Sequence, residues 1–218
     1  MTGDSEARDS LALDALALDF IDVLDWRRRV ANIYRDARAE PDAAQAHGRW
    51  AAARLDLLAT HPASPVPAAE RRAFAGGRVA PYDAAFRFVV PIDTHVEPER
   101  REVQTGTDGV VSLVRFGTVR LASLGSLDVW WLDSYGGGVF LPFRDATSGV
   151  STYGAGRYLL DTIKGADLGG DASGLVVDLN FAYQPSCAYD EAWACPLPGA
   201  GNRLEAEVPV GELFGRRG

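Results

Sequence analysis

Six charged residues crowd the segment 139–167, VFLPFRDATSGVSTYGAGRYLLDTIKGAD: Arg144, Asp145, Arg157, Asp161, Lys164 and Asp167. Arginine forks bind carboxylate or phosphate through paired hydrogen bonds, and neighbouring aspartates orient them or accept from a substrate hydroxyl. Together with the Tyr153 hydroxyl, the first five make a candidate pocket for a small polar or anionic ligand in an aromatic, glycine-rich frame. A competing reading gives the same charges a structural task, an ion network that locks a hairpin. In that reading Asp145, Thr147 and Ser148 are turn formers that bond to the local backbone.

A second group lies in NFAYQPSCAYDEAWACPLP, where seven residues separate Cys187 from Cys195. Such a pair suits a disulfide, half of a metal site or two buried packing thiols. As a nucleophile, Cys187 needs a nearby base and a lowered thiol pKa. His61 is a candidate acid or base on a helical face on which Arg54 lies four residues after Trp50 and His61 seven after Arg54, and Asp145 is a third catalytic candidate. No metal is expected, because two cysteines are too few and His47, His61 and His95 form no compact ligand motif. No cofactor is expected either: GAGRYL at 154–159 lacks the third glycine and the following helix of a dinucleotide site, and no Walker loop, HExxH or GxSxG occurs.

The elements that must position these residues divide the chain in two. From Leu11 to Ala39, apolar residues recur at three- and four-residue steps (Leu16, Phe20, Val23, Leu24, then Trp26, Val30, Ile33, Tyr34), which predicts an amphipathic helix. A second helix starts near Pro41 and is stopped by Pro62, and a short one spans Ala68 to Phe74 before Gly76 and Gly77. Beyond Pro81, strands dominate. Phe86, Phe88 and Val90 alternate with polar or exposed positions, and TGTDG at 105–109 reads as a hairpin turn between REVQ and VVSLVRF. Further strands are expected at Thr118–Ala122, Leu127–Leu132, Val139–Phe143, Thr152–Leu160, Gly174–Phe181 and Leu204–Val210. The fold class is therefore mainly β within α+β: an antiparallel β-barrel or sandwich-like core with an N-terminal helical region packed on it. Residues 1–80 form the helical arm and connector and 81–218 the β-rich core, together one structural domain.

Composition narrows the partners. The chain has 218 residues and a net charge of −8, so it lacks the positive field that nonspecific binding to nucleic acid or an anionic membrane requires. Asp14, Asp19, Asp22 and Asp25 interrupt the most apolar N-terminal stretch, and the acidic start MTGDSEARDS does not read as a signal peptide, which predicts a cytoplasmic protein. No heptad array specifies an oligomer.

Several motifs together carry a resemblance. They are DWRRRV at 25–30, Trp50 with RLDLL and THPASP down to 65, PYD at 81–83, and WLDSYGGGVFLPFRDATSG at 131–149. TYGAGRYLLDTIKGADLG at 152–169, LNFAYQPSCAYD at 179–190, and ACPLP with GNRL near the end complete the set. Over nearly its full length the chain resembles the bacterial and archaeal family known as domain of unknown function 1684. The resemblance implies no established activity. Leu179 and Gln184 depart from the family wording, which expects Phe and Asn there, and are poor choices for indispensable chemistry.

Three function classes remain. The leading one is a β-domain that binds a small polar or anionic metabolite on Arg144, Asp145, Tyr153, Arg157, Asp161 and Lys164. The second is an enzyme of hydrolase or isomerase type using Cys187, His61 or Asp145. The third is a structural or partner-binding protein.

Overall fold

Pro41 and Asp42 mark the first sharp reversal of the chain. Asp42 Oδ1 accepts from the backbone N–H groups of Ala44 (2.9 Å) and Gln45 (3.0 Å), capping two donors that a helix start leaves unpaired. The cap separates helix α1 (Gly3–Ala39) from α2 (Ala43–Thr60) and folds them into a hairpin. At its far end, His61 beyond α2 meets Asp25 of α1. A computed structural model describes residues 3–71, 74, 77–105, 109–171 and 173–214. Helix α3 is described over Ala68–Arg71, and residues 72 and 73 of the expected helix lie outside the described residues.

The apolar stripe of α1 is used along part of its length. Tyr34 is buried, and Val30, Ile33 and Ala37 pack against the core, whereas Phe20, Ile21, Val23 and Leu24 remain exposed. The stripe reaches beyond the sheet that covers it.

The strands are β1 (Arg78–Val79), β2 (Arg87–Val90), β3 (Glu99–Gln104), β4 (Val110–Leu121), β5 (Gly125–Leu132), β6 (Gly138–Phe143), β7 (Arg157–Asp161), β8 (Gly170–Asp171), β9 (Gly174–Asp178) and β10 (Glu212–Leu213). Strands β3 to β7 form an antiparallel meander in chain order, β2–β9–β8 form a second sheet, and β1 pairs with β10. One long strand replaces two expected ones, because β4 continues through a bulge at Arg115–Gly117. The residues at the centre of the predicted TGTDG turn, 106–108, lie outside the described residues.

The meander is open, which corrects the barrel expectation and supports the sandwich-like alternative. A barrel needs its edge strands to pair, but β3 and β7 sit at opposite edges. The β7 edge is instead covered where Tyr158 and Tyr183 exchange backbone hydrogen bonds of 2.8 and 2.9 Å. Leu121, Leu127, Val129, Leu141, Phe143 and Leu159 from the meander share one buried cluster with Val177 and Leu179 from the second sheet region and Trp50 from α2.

Two further strand expectations fail for local reasons. Thr152 makes only an isolated bridge with Ser148, residues 153–156 form no strand, and β7 starts at Arg157. The 204–210 segment forms no strand: Asp145 binds the Val208 N–H, and Arg157 takes the carbonyls of Val208 and Val210. At Val208 and Val210, side chains occupy the groups a neighbouring strand would have used.

After β7 a 3-10 turn, Thr162–Lys164, carries the chain onto α1. Gly165 closes it at φ +90°, and a Cβ there would lie 3.0 Å from the Ala31 nitrogen. Both backbone conformation and helix contact require glycine. Gly165→Ala is expected to destabilise the protein by about 1–3 kcal/mol, read as a lower urea midpoint at unchanged slope.

Candidate functional site

Strands β6 and β7 place Phe143 opposite Arg157, with the DATSG turn leaving directly from β6. Alternation of side chains along an extended backbone then separates two neighbours: Arg144 is exposed while Asp145 points inward and is buried. Arg157 is 1% exposed. It donates to the carbonyls of Val208 (2.8 Å), Val210 and Glu212 (3.4 Å) and to Asp145 Oδ1 (3.2 Å), and its guanidinium lies 5.1 Å from the Phe143 ring centre. Asp145 Oδ2 accepts from the Thr147 hydroxyl (2.6 Å), Thr147 N–H (3.1 Å) and Val208 N–H (2.8 Å). Burial lowers the Arg157 pKa, and Asp145 opposes that shift.

The remaining predicted ligand residues go elsewhere. Tyr153 is half-buried beside Cys187. Asp161 is buried at the end of β7, and Lys164 is exposed on the turn that meets α1. The six residues thus occupy three neighbourhoods, and none lines either of the two clefts described below.

The expected Trp50, Arg54 and His61 face also separates by partner. Trp50 packs on His47 and Phe181, with ring centres 5.6 and 5.1 Å away. Arg54 binds both oxygens of the buried Glu212 (2.5 and 3.3 Å) and lies 4.5 Å from the Tyr183 ring centre. Burial pulls its pKa down, but Glu212 outweighs this and holds it above the ordinary arginine value. His61 Nδ1 accepts from Ala63 N–H (3.1 Å), which puts the neutral ring's proton on Nε2, 3.0 Å from Asp25 Oδ2. Both ring nitrogens are therefore engaged in joining α1 to the end of α2.

Cys187 and Cys195 are free, half-buried thiols in one cluster. The Tyr153 hydroxyl donates to the Cys187 carbonyl (3.1 Å) and lies 3.7 Å from its Sγ. The Tyr158 hydroxyl donates to the carbonyl of Pro196, the residue after Cys195 (2.5 Å). Hydrogen bonding between the two thiols pushes the Cys187 pKa up and draws that of Cys195 down. Backbone N–H groups of Cys187 and Ser186 and the Lys164 charge also favour the Cys195 thiolate, against its burial. Burial raises Tyr153 to about 12.

A cleft of about 470 Å³ opens where the α1–α2 turn meets β2, β8 and β9. Its walls include Arg38, Glu40, Arg87, Gly170, Asp171 and Asp178, with apolar surface from Pro41, Leu168, Val176 and Phe181. A shallower cleft beside it shares Gly170 and Asp171. Asp178 is 1% exposed. Its Oδ1 accepts from Asn180 N–H (3.1 Å) and Nδ2 (2.8 Å), while Oδ2 lies 3.6 Å from Arg87 Nη1 and accepts no hydrogen bond from the described residues. Burial raises the Asp178 pKa, and Asn180 and Arg87 oppose the shift. Behind the Phe181 wall, the buried His47 stacks among Trp50, Tyr82 and Phe181, and burial lowers its pKa.

The sequence reading passed over Arg38, Arg87 and Asp178 as site residues. Its available signal was a single carboxylate inside the apolar run LVVDLNFA, where burial demands a partner. Among the described residues, no group of three or more His, Cys, Asp or Glu side chains is arranged to hold a metal ion. No described helix is long and apolar enough to cross a membrane.

Comparison with known proteins agrees with the fold. Residues 72–213 match the family described as Protein of unknown function (DUF1684), and the chain belongs to that family. A similar solved structure is the solution NMR structure of an uncharacterised protein of Haloarcula marismortui. It is 29% identical, with a TM-score of 0.58, and the likeness covers 77% of this chain and 92% of that one. No curated protein matches.

Arg157→Ala leaves Asp145 buried without its cation and three carbonyls without their donor. It should lower unfolding free energy by about 3–5 kcal/mol in urea titration. Asp178 binds its proton more readily in the folded protein than in the unfolded chain. This carboxyl therefore favours folding below its ordinary value of 3.8, and the contribution disappears as pH rises through the higher folded-state pKa. The stability of wild type relative to Asp178→Asn should fall across that window in urea titrations at successive pH values.

Proposed function

We propose that the protein binds a small metabolite carrying a carboxylate or phosphate and a hydroxyl or amino group, in the cleft between the α1–α2 turn and β2–β9–β8. The observation that supports this reading is Asp178: a buried carboxylate with one oxygen that accepts no hydrogen bond among the described residues, beside Arg87 on the same cleft wall. Arg87 and Arg38 offer N–H donors to the ligand's acid group, and Asp178 accepts from its hydroxyl or amine. Pro41, Leu168, Val176 and Phe181 supply the apolar surface that excludes water from those bonds. The volume suits a metabolite rather than a polymer.

This keeps the ligand class expected from sequence and moves the site away from the Arg144 and Arg157 group. The enzyme alternative has less support, because both nitrogens of His61 and both oxygens of Asp145 are occupied by protein partners. We infer no nucleic-acid or anionic-membrane partner from its net charge of −8.

Calorimetric titration with a panel of hydroxy acids, amino acids and sugar phosphates tests the reading. At least one member should bind saturably, and Arg87→Ala should weaken it by roughly 1.5–3 kcal/mol, the range for a hydrogen bond to a charged group. Absence of binding across the panel, or unchanged affinity in an Arg38→Ala, Arg87→Ala double variant, would count against it.

A further inference from the structure

The Cys187 and Cys195 cluster stands apart from the cleft and has features that packing thiols do not need. Each cysteine is held from the same strand region: Tyr153, four residues before β7, fixes the Cys187 main chain and approaches its sulfur, and Tyr158 within β7 fixes the carbonyl beside Cys195. The intervening chain is folded back by local bonds, Tyr189 N–H and Asp190 N–H to the Ser186 carbonyl and Trp193 N–H to the Asp190 carbonyl. That reversal brings two residues eight positions apart into one cluster. On one side Cys195 packs against the buried group of Leu113, Trp130, Phe140 and Tyr158, yet both cysteines retain solvent access.

We propose that Cys187 and Cys195 are a reversible dithiol–disulfide pair that exchanges with small disulfides, with Tyr153 and Tyr158 as positioning residues. Cys195 attacks first, as its thiolate is favoured by the neighbouring thiol, two backbone N–H groups and the Lys164 charge. Its sulfur displaces one thiolate from a low-molecular-weight disulfide, forming a mixed disulfide. Cys187 then attacks Cys195 Sγ and displaces the second thiolate. Each displacement forms one S–S bond and breaks one. The protein dithiol loses two electrons, the small disulfide gains them, and the dithiol's two protons end on the two released thiols.

Incubating the folded protein with oxidised glutathione at pH 7, followed by thiol counting and intact mass, tests the pair. The expected result is loss of both thiols and of two hydrogens per chain, with no glutathione retained and full recovery in reduced glutathione. Cys187→Ser should stop at one retained glutathione on Cys195. In the reduced wild-type protein, iodoacetamide at pH 7 should modify Cys195 on the order of tenfold faster than Cys187, following thiolate fraction. Two unchanged thiols, or stable glutathione adducts on the wild-type chain, would overturn the proposal. So would equal alkylation rates.

Discussion

Arg157 sits almost completely buried and directs its guanidinium into the main chain of residues 208–212, while Asp145 balances its charge and takes the Val208 N–H. A second arginine reaches the same segment from the other side, because Arg54 of α2 binds the carboxylate of Glu212 through both oxygens. Removing two guanidinium ions from water carries a penalty of several kcal/mol each, so these contacts hold only while every partner is in place. The C-terminal segment is thus an irregular strap that side chains tie to the meander and to α2, and its end pairs with β1.

That constraint explains how the chain's charges are divided. Arg157, Asp145, Arg54 and Glu212 are used internally, whereas Arg38 and Arg87 remain on the wall of a cleft. Asp178 links the two roles: Asn180 fixes one carboxyl oxygen and connects it to the Asp83 backbone, leaving the other toward Arg87. The dithiol cluster is separate again, fastened through tyrosine hydroxyls instead of ions. Internal order, the proposed ligand cleft and the proposed thiol exchange therefore occupy three parts of one scaffold.

Much of this architecture was legible from local signals. The helix periodicity, the Pro41–Asp42 boundary and the apolar alternation of Phe88 and Val90 each report a short-range preference that survives in the fold. The 204–210 segment misled because LEAEVPV alternates like a strand, while the backbone groups of Val208 and Val210 are taken by the side chains of Asp145 and Arg157, distant in sequence. Barrel closure was illegible for a similar reason, since it depends on whether β3 meets β7 and no local pattern encodes that. The charged hairpin was visible as a group, but the parity that exposes Arg144 and buries Asp145 separates its members. Arg38 and Asp178 are 140 residues apart in sequence and line one cleft only through the tertiary fold.

On this reading buried arginines hold the strap while the Arg38, Arg87 and Asp178 cleft is the proposed ligand site. Hydrogen–deuterium exchange on the full chain, with and without a saturating metabolite identified by calorimetry, addresses it most directly. Added protection is expected at residues 37–46, 87–89 and 168–178, with exchange at 144–158 unchanged. Protection concentrated at 144–158, with the cleft segments unaffected, would contradict it.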